Sequence, residues 1–134
     1  MGRPEVILLD THVLVWAVGD TKKLSRAATS EIRRARQGGG LAVSAITLWE
    51  LGLLINRGRI QGYGTIESSI KQLLEGVTVR SITPEIAALA VQFPDTYPRD
   101  PADRLIGATA RAEGMTLITR DENIRRSPLL KTVW

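Results

Sequence analysis

Four acidic residues stand inside apolar segments or at their ends, where charged side chains are unusual. They are Asp10, Glu50, Asp103 and Asp121. Asp10 closes the apolar run 6–9, and Glu50 lies within the apolar segment 45–54. A carboxylate in or beside a buried segment costs free energy unless a positive or hydrogen-bonding group meets it. Because no matching run of lysines accompanies these acids, their pattern indicates a metal cation as the shared partner.

The remaining composition restricts which metal such a site would take. The chain has no cysteine and one histidine, His12, so thiolate chemistry, iron–sulfur clusters and histidine-based zinc sites are excluded. Oxygen ligands favour Mg²⁺ or Mn²⁺. His12 itself stands early in a predicted helix, where a lone histidine is more often structural than catalytic.

Each acid also has an ordinary structural interpretation. Asp10 could cap the helix that follows it, and Asp121 could do the same for a helix after residue 121. Asp100 precedes Pro101, the favoured first residue of a helix, and is therefore interpreted first as an N-cap. Asp103 could then complete a capping box at the third helical position. For Glu50 the ordinary explanation is a buried ion pair with an arginine.

Apolar stretches and helix signals alternate along the whole chain. Predicted strands cover 6–9, 41–43, 77–79, 115–118 and 132–134, and predicted helices cover 11–18, 25–37, 45–56, 65–74, 83–93 and 101–113. Short apolar strands separated by helices indicate an α/β fold with a parallel sheet covered on both faces. In such sheets ligands bind beyond the carboxyl ends of the strands, where the acids are expected to meet. The helix 45–56 is predicted to be deeply buried, and Trp16 and Trp49 are predicted to fill the core.

Size and charge set the broad class. The 134 residues suit one domain, and 43% of them are apolar, enough for a real core. The net charge is +4 and most of the 18 basic residues are arginine, which suits a polyanionic partner as well as a merely solvated basic surface. No apolar run is long enough for a membrane span, and residues 1–5 lack a secretory signal pattern, so a cytoplasmic protein is expected.

Four motifs together carry a family resemblance. They are Leu8-Leu9-Asp10-Thr11-His12-Val13-Leu14-Val15-Trp16, Ser44-Ala45-Ile46-Thr47-Leu48-Trp49-Glu50-Leu51, Arg99-Asp100-Pro101-Ala102-Asp103-Arg104-Leu105-Ile106-Gly107-Ala108-Thr109-Ala110 and Leu117-Ile118-Thr119-Arg120-Asp121. In this order and spacing the chain resembles PIN-domain ribonucleases, and among them the VapC toxins of type II toxin–antitoxin pairs. The resemblance extends over essentially the whole chain, so residues 1–134 are expected to form a single PIN domain.

The resemblance implies a fold, an activity and partners. The fold would be a three-layer α/β/α structure with a central parallel sheet of four to five strands. The activity would be Mg²⁺- or Mn²⁺-dependent endonucleolytic hydrolysis of RNA, with catalytic and metal-binding roles carried over to Asp10, Glu50, Asp103 and Asp121. Asp10 and Asp103 would be the main metal ligands. Such proteins usually form homodimers and are neutralised by a small antitoxin whose tail occupies the active-site groove.

Four further residues are candidate RNA contacts near the acids. They are Arg104, Arg111, Thr119 and Arg120. Arg104 and Arg111 are two helical turns apart and would share one helix face. Thr119 and Arg120 stand directly before Asp121, where a plain strand end is an equal alternative.

Two other functional classes remain open from the sequence. One is a phosphatase or phosphotransfer enzyme on a similar sheet, although a haloacid-dehalogenase-like site would need a second aspartate where His12 stands. The other is a non-catalytic RNA-binding or antitoxin-binding module on a PIN scaffold, which would tolerate the loss of acids that this chain retains.

Overall fold

The computed structural model describes residues 5–134; the first four residues, part of the segment judged to lack a secretory signal, lie outside the described part. The strands are β1 (Ile7–Leu9), β2 (Leu41–Ser44), β3 (Val77–Arg80), β4 (Leu117–Ile118) and β5 (Thr132–Val133). The helices are α1 (Thr11–Gly19), α2 (Arg26–Gln37), α3 (Ala45–Asn56), α4 (Ile66–Leu73), α5 (Pro84–Gln92), α6 (Pro101–Glu113) and α7 (Glu122–Arg125), with a 3₁₀ turn at Thr21–Lys23.

All five strands form one parallel sheet in the order β3-β2-β1-β4-β5. The central strand β1 pairs Leu8 with Ala42 on one side and with Leu117 on the other. Successive residues of a strand point to opposite faces, so Leu8 packs into one apolar cluster while Ile7 and Leu9 pack into another. The predicted α/β class with a central parallel sheet covered by helices is therefore confirmed.

Helix boundaries follow the local capping signals. The Ser25 hydroxyl accepts a hydrogen bond from the Ala28 N–H at 3.0 Å, and this bond fixes the start of α2. Gly114 adopts a left-handed conformation with φ of 64° and ends α6, as predicted. None of the helices described in residues 5–134 has the length and apolar composition that crossing a membrane requires.

The predicted deep burial of the helix at 45–56 is wrong. Thr47 and Leu51 are its fully buried residues, whereas Trp49 is 63% exposed, so Trp49 does not fill the core. The helix α3 packs against α1, α4 and α6, and most of its residues are only half-buried. Apolar residues on most faces of this helix therefore did not mean burial of those faces. The edge strand β3 is likewise partly open, with Val79 42% exposed.

Candidate active site

The four acids come together in one cleft at the carboxyl edge of the sheet. Asp10 directly follows β1 and Asp121 lies just beyond β4, the parallel neighbour of β1, while α3 and α6 supply Glu50 and Asp103. The cleft has a volume of about 510 Å³. Its lining consists of Asp10, His12, Val13, Trp16, Glu50, Asp103, Arg120 and Asp121.

Both oxygens of the Asp10 carboxylate are held by neighbouring donors. The Thr11 N–H donates to Oδ1 at 2.9 Å, which makes Asp10 the N-cap of α1. The Thr119 hydroxyl donates to Oδ2 at 2.7 Å from the end of β4. The capping interpretation of Asp10 is thus confirmed, and the same residue lines the cleft, so the two interpretations do not exclude each other.

Glu50 is held by a hydroxyl pair and not by an arginine. The Thr11 hydroxyl donates to Glu50 Oε1 at 2.5 Å, and Thr11 Oγ1 also lies 2.9 Å from the buried hydroxyl of Thr47. The ion pair considered from the sequence is absent from residues 5–134. Sequence reasoning missed both threonines, although Thr47 stands one helical turn before Glu50 on the same face of α3.

Asp103 and its neighbour Asp100 have different tasks. Asp100 caps α6, since its Oδ2 accepts a hydrogen bond from the Asp103 N–H at 3.0 Å. The capping box suggested for Asp103 does not form: within the described residues its own carboxylate accepts no hydrogen bond. Asp121 acts as a cap as well, accepting from Asn123 N–H at 2.8 Å and Ile124 N–H at 3.0 Å.

The cleft is strongly unfavourable for negative charge. Burial, together with the nearby carboxylates of Asp10, Asp100, Asp121 and Glu50, raises the pKa of Asp103 to about 7. Burial also raises the pKa of Asp10 and of Glu50 above their usual values. Among residues 5–134 none of the four cleft acids forms an ion pair. Like charges have therefore been gathered in the cleft without an ion pair to compensate them.

The donor set fits a hard divalent cation that keeps part of its water shell. In the described part of the chain, no three acidic or histidine side chains enclose a cation by themselves. Mg²⁺ is usually held by one or two carboxylates and several water molecules, so a closed protein cage is not required. Asp10 and Asp103 are the carboxylates that could bind such an ion directly, and Glu50 could bind one of its water molecules.

Two of the four candidate RNA contacts are placed elsewhere, so their expected position at the rim is wrong. The Arg104 guanidinium donates to the carbonyl oxygens of Ala90, Phe93, Pro94 and Tyr97 and clamps the chain that follows α5. Arg111 donates to the Leu129 carbonyl oxygen. Neither arginine lines the cleft. Both sit on α6, whose length carries Arg111 away from the acids and whose packing against α5 engages Arg104.

The other two candidates lie at the cleft, but only one is free to meet a ligand. Thr119 is fully buried, and its hydroxyl holds Asp10, so its predicted contact with phosphate is replaced by a supporting role. Arg120 is exposed and lies over the indole of Trp16, with 5.8 Å between the guanidinium carbon and the ring centroid. Trp16 is half-buried and lines the cleft, so the prediction that it fills the core is wrong.

Comparison with known proteins agrees with this fold. A family model for the PIN domain matches residues 7–128. The chain therefore belongs to the PIN-domain family.

Within that family the chain is similar to a VapC ribonuclease. It is 44% identical over 130 residues to Ribonuclease VapC22 of Mycobacterium tuberculosis (strain ATCC 25618 / H37Rv), covering 96% of this chain and 98% of that protein.

Solved structures share the fold at much lower sequence identity. VapBC2 from Rickettsia felis, bound to a DNA fragment from its promoter, superposes with a TM-score of 0.73 at 18% identity, covering 96% of this chain and 97% of that one. DNA-bound VapBC from Salmonella typhimurium superposes with a TM-score of 0.70 at 16% identity, covering 97% of both chains.

Proposed function

We propose that this protein is a metal-dependent endoribonuclease that acts as the toxin of a toxin–antitoxin pair. The observation that carries the proposal is the gathering of Asp10, Glu50, Asp103 and Asp121 in one cleft, where none of them forms an ion pair with another residue of the described range 5–134. The 44% identity to a relative named as a ribonuclease supports RNA as the substrate. Neighbouring structures of toxin–antitoxin complexes support a small antitoxin as the protein partner.

In the proposed mechanism each of the four carboxylates has its own role. Asp10 and Asp103 would hold Mg²⁺ or Mn²⁺, because Asp10 is fixed by two donors, while Asp103 lines the cleft and its carboxylate accepts no hydrogen bond within residues 5–134. Glu50, anchored through Oε1, keeps Oε2 to orient the attacking water. Asp121 supports the outer shell while it caps α7. The bound ion would lower the pKa of a coordinated water and offset the charge that develops on the phosphate.

The four acids also explain why RNA would need the metal. Phosphate and carboxylate repel each other unless a divalent cation lies between them. The basic remainder of the chain, with its net charge of +4, attracts the RNA backbone without specifying a sequence. We further propose that the protein works as a homodimer and forms one PIN domain over residues 1–134.

Replacing Asp10 with asparagine tests the proposal. Asp10→Asn keeps the shape and the capping ability of the residue but removes its charge. We expect the variant to fold and to cut RNA at least about 100-fold more slowly, which is the usual loss when one electrostatic group of an active site is removed. Initial rates on mixed RNA with Mn²⁺, and with EDTA, are the measurement.

The matched control is Asp95→Asn, which removes an exposed acid outside the cleft and should leave the rate unchanged. Wild-type protein should cut with Mn²⁺ and not with EDTA. Normal cleavage by a well-folded Asp10→Asn variant would refute the role of Asp10. A gel shift of RNA without cutting in either buffer would favour the non-catalytic binding module.

A further inference from the structure

An aromatic ring, that of Trp16, lies at the edge of the acidic cleft and is not fully buried. Trp16 lies on α1 one turn after His12, and both line the cleft. The Trp16 ring is tilted by 58° against the C-terminal Trp134, with 5.9 Å between centroids. The ring centroids of His12 and Trp16 are 6.0 Å apart. The half-buried indole therefore presents part of a flat apolar surface beside carboxylates that would hold a cation.

Two positive side chains lie over the same indole. The guanidinium carbon of Arg120 is 5.8 Å from the ring centroid, and Lys23 Nζ is 6.0 Å from it. Both distances are near the outer limit of about 6 Å for a cation–π contact. Both side chains are exposed, and Lys23 also makes a loose ion pair of 3.7 Å with Asp20. Such weakly held cations can turn from the ring to a phosphate without breaking a strong contact.

We propose that Trp16 is a stacking platform for an unpaired base of the RNA substrate, with Arg120 and Lys23 contacting the phosphates beside that base. This inference rests on the proposed function, which brings RNA to the cleft. Every base has a π face, so a ring of this kind recognises an unstacked nucleotide without selecting its identity. The platform would direct cleavage to single-stranded segments and loops, where a base is free to leave its stack.

The charges around the indole favour RNA over a protein partner at this position. A partner protein would approach an acidic cleft most readily with arginine or lysine. Arg120 and Lys23 already flank the ring and would repel such a side chain there. The same two cations attract phosphate, and the ring remains suited to a base.

A pair of substitutions separates stacking from packing. Trp16→Phe keeps an aromatic face, whereas Trp16→Leu keeps apolar packing against Trp134 and loses the face. Trp49→Leu is the matched control, because Trp49 is 63% exposed and lies outside the cleft. The substrates are a short single-stranded RNA and a series of the same RNA with one abasic position at a time. Cleavage with Mn²⁺ gives KM and kcat for each combination, and circular dichroism checks folding.

For the wild type we expect one abasic position near the cut to raise KM by roughly 5- to 150-fold, as loss of one base–aromatic stack predicts. Trp16→Leu should raise KM on intact RNA by a similar factor and lose its sensitivity to that abasic position. Trp16→Phe should retain most of the affinity for intact RNA and most of the sensitivity to the abasic position. Trp49→Leu should match the wild type in both measurements.

The failures are distinguishable. A folded Trp16→Leu variant with wild-type KM and an unchanged abasic profile would overturn the platform and leave the ribonuclease intact. The proposal would also be overturned if no abasic position in the RNA raised the KM of the wild-type protein. If a poly-arginine peptide binds the wild type more tightly than Trp16→Leu while RNA does not distinguish them, the ring serves a protein partner and the proposal is wrong. Wild-type protein that cuts no RNA with Mn²⁺ would remove the proposed function, and the platform with it.

Discussion

Three acidic residues at the carboxyl edge of the sheet either cap a helix or accept a hydrogen bond from a neighbouring hydroxyl group. Each of the three also lines the cleft. Asp10 caps α1, Asp121 caps α7, and Glu50 accepts a hydrogen bond from Thr11. A carboxylate has about four lone-pair sites, so a capping bond leaves acceptor capacity for another ligand. The capping bonds also fix the direction of each carboxylate in advance. Structural and functional interpretations of these acids are therefore compatible.

Substitution of Thr11 tests the support of Glu50 at this scale. Thr11→Val removes the hydroxyl that joins Glu50 to the buried hydroxyl of Thr47. We expect a stability loss of about 1–3 kcal/mol, because Thr47 is left without its partner. RNA cleavage should fall by roughly 10- to 100-fold, because Glu50 loses its fixed position. Thermal unfolding and initial cleavage rates with Mn²⁺ measure the two effects.

Thr11→Ser is the matched control, since it keeps the hydroxyl and should restore both stability and cleavage. Equal losses in the valine and serine variants would show that the hydroxyl alone does not account for the effect. Full cleavage by Thr11→Val would contradict a positioning role for Thr11.

At the scale of elements, the start of α6 is fixed by the segment that precedes it. The Tyr97 hydroxyl donates to the Asp103 carbonyl oxygen at 3.1 Å, and Arg104 binds carbonyl oxygens of the same segment. Gly107 makes room for the tyrosine, because a Cβ atom there would lie 2.1 Å from the Tyr97 hydroxyl oxygen. The helix therefore presents Asp103 to the cleft from a firmly packed base.

Arg104→Ala is expected to act on stability and not on RNA binding. Loss of the guanidinium leaves several carbonyl oxygens without a donor and should lower the free energy of unfolding by about 1–3 kcal/mol. Arg104→Lys should not restore it, because a single ammonium group lacks the planar fork of donors. Chemical denaturation measures stability, and KM at several salt concentrations measures RNA binding at a temperature where the variant is folded.

Arg99→Ala, in the same segment but exposed, is the control for loss of positive charge. A reduced salt dependence of RNA binding in Arg104→Ala, with unchanged stability, would instead place Arg104 at the phosphate backbone.

The whole molecule combines a basic surface with an acidic cleft. The net charge is +4, yet the carboxylates are concentrated where the strands end. Burial and like charge raise the pKa of Asp103 from 3.8 to about 7, so folding without a metal forces a carboxylate into unfavourable surroundings. A divalent cation would relieve that cost, which links metal binding to stability.

The pH dependence of stability in EDTA tests this link. The folded state holds a proton on Asp103 up to about pH 7, whereas the unfolded chain releases it near pH 3.8. The contribution of Asp103 is therefore most favourable below that range, and stability falls as pH rises from about 4 to 7. Asp103→Asn should flatten this slope, and Mn²⁺ should raise the melting temperature of the wild type at pH 7 and above. Identical slopes in wild type and Asp103→Asn would contradict the charge crowding.

Local sequence patterns predicted the elements well but not which surfaces stay open. The predicted helices 25–37 and 101–113 rest on short-range signals, and the structure has helices at Arg26–Gln37 and Pro101–Glu113. The four-residue helix α7 is too short for periodicity to reveal. The exposure of Trp49 depends on which neighbours cover α3. The hydrogen bonds of the Arg104 guanidinium depend on how the chain turns after α5. Both are tertiary facts that residue type alone does not encode.

Titration of Mn²⁺ into the metal-free protein, followed by the electron paramagnetic resonance signal of the free ion, tests the central claim most directly. If the acids that lie far apart in sequence share a divalent ion, wild-type protein binds Mn²⁺, and Asp103→Asn weakens binding by more than about tenfold, a loss that even an outer-shell change can cause. Absence of Mn²⁺ binding, or equal binding by the wild type and the folded Asp103→Asn variant, would contradict it.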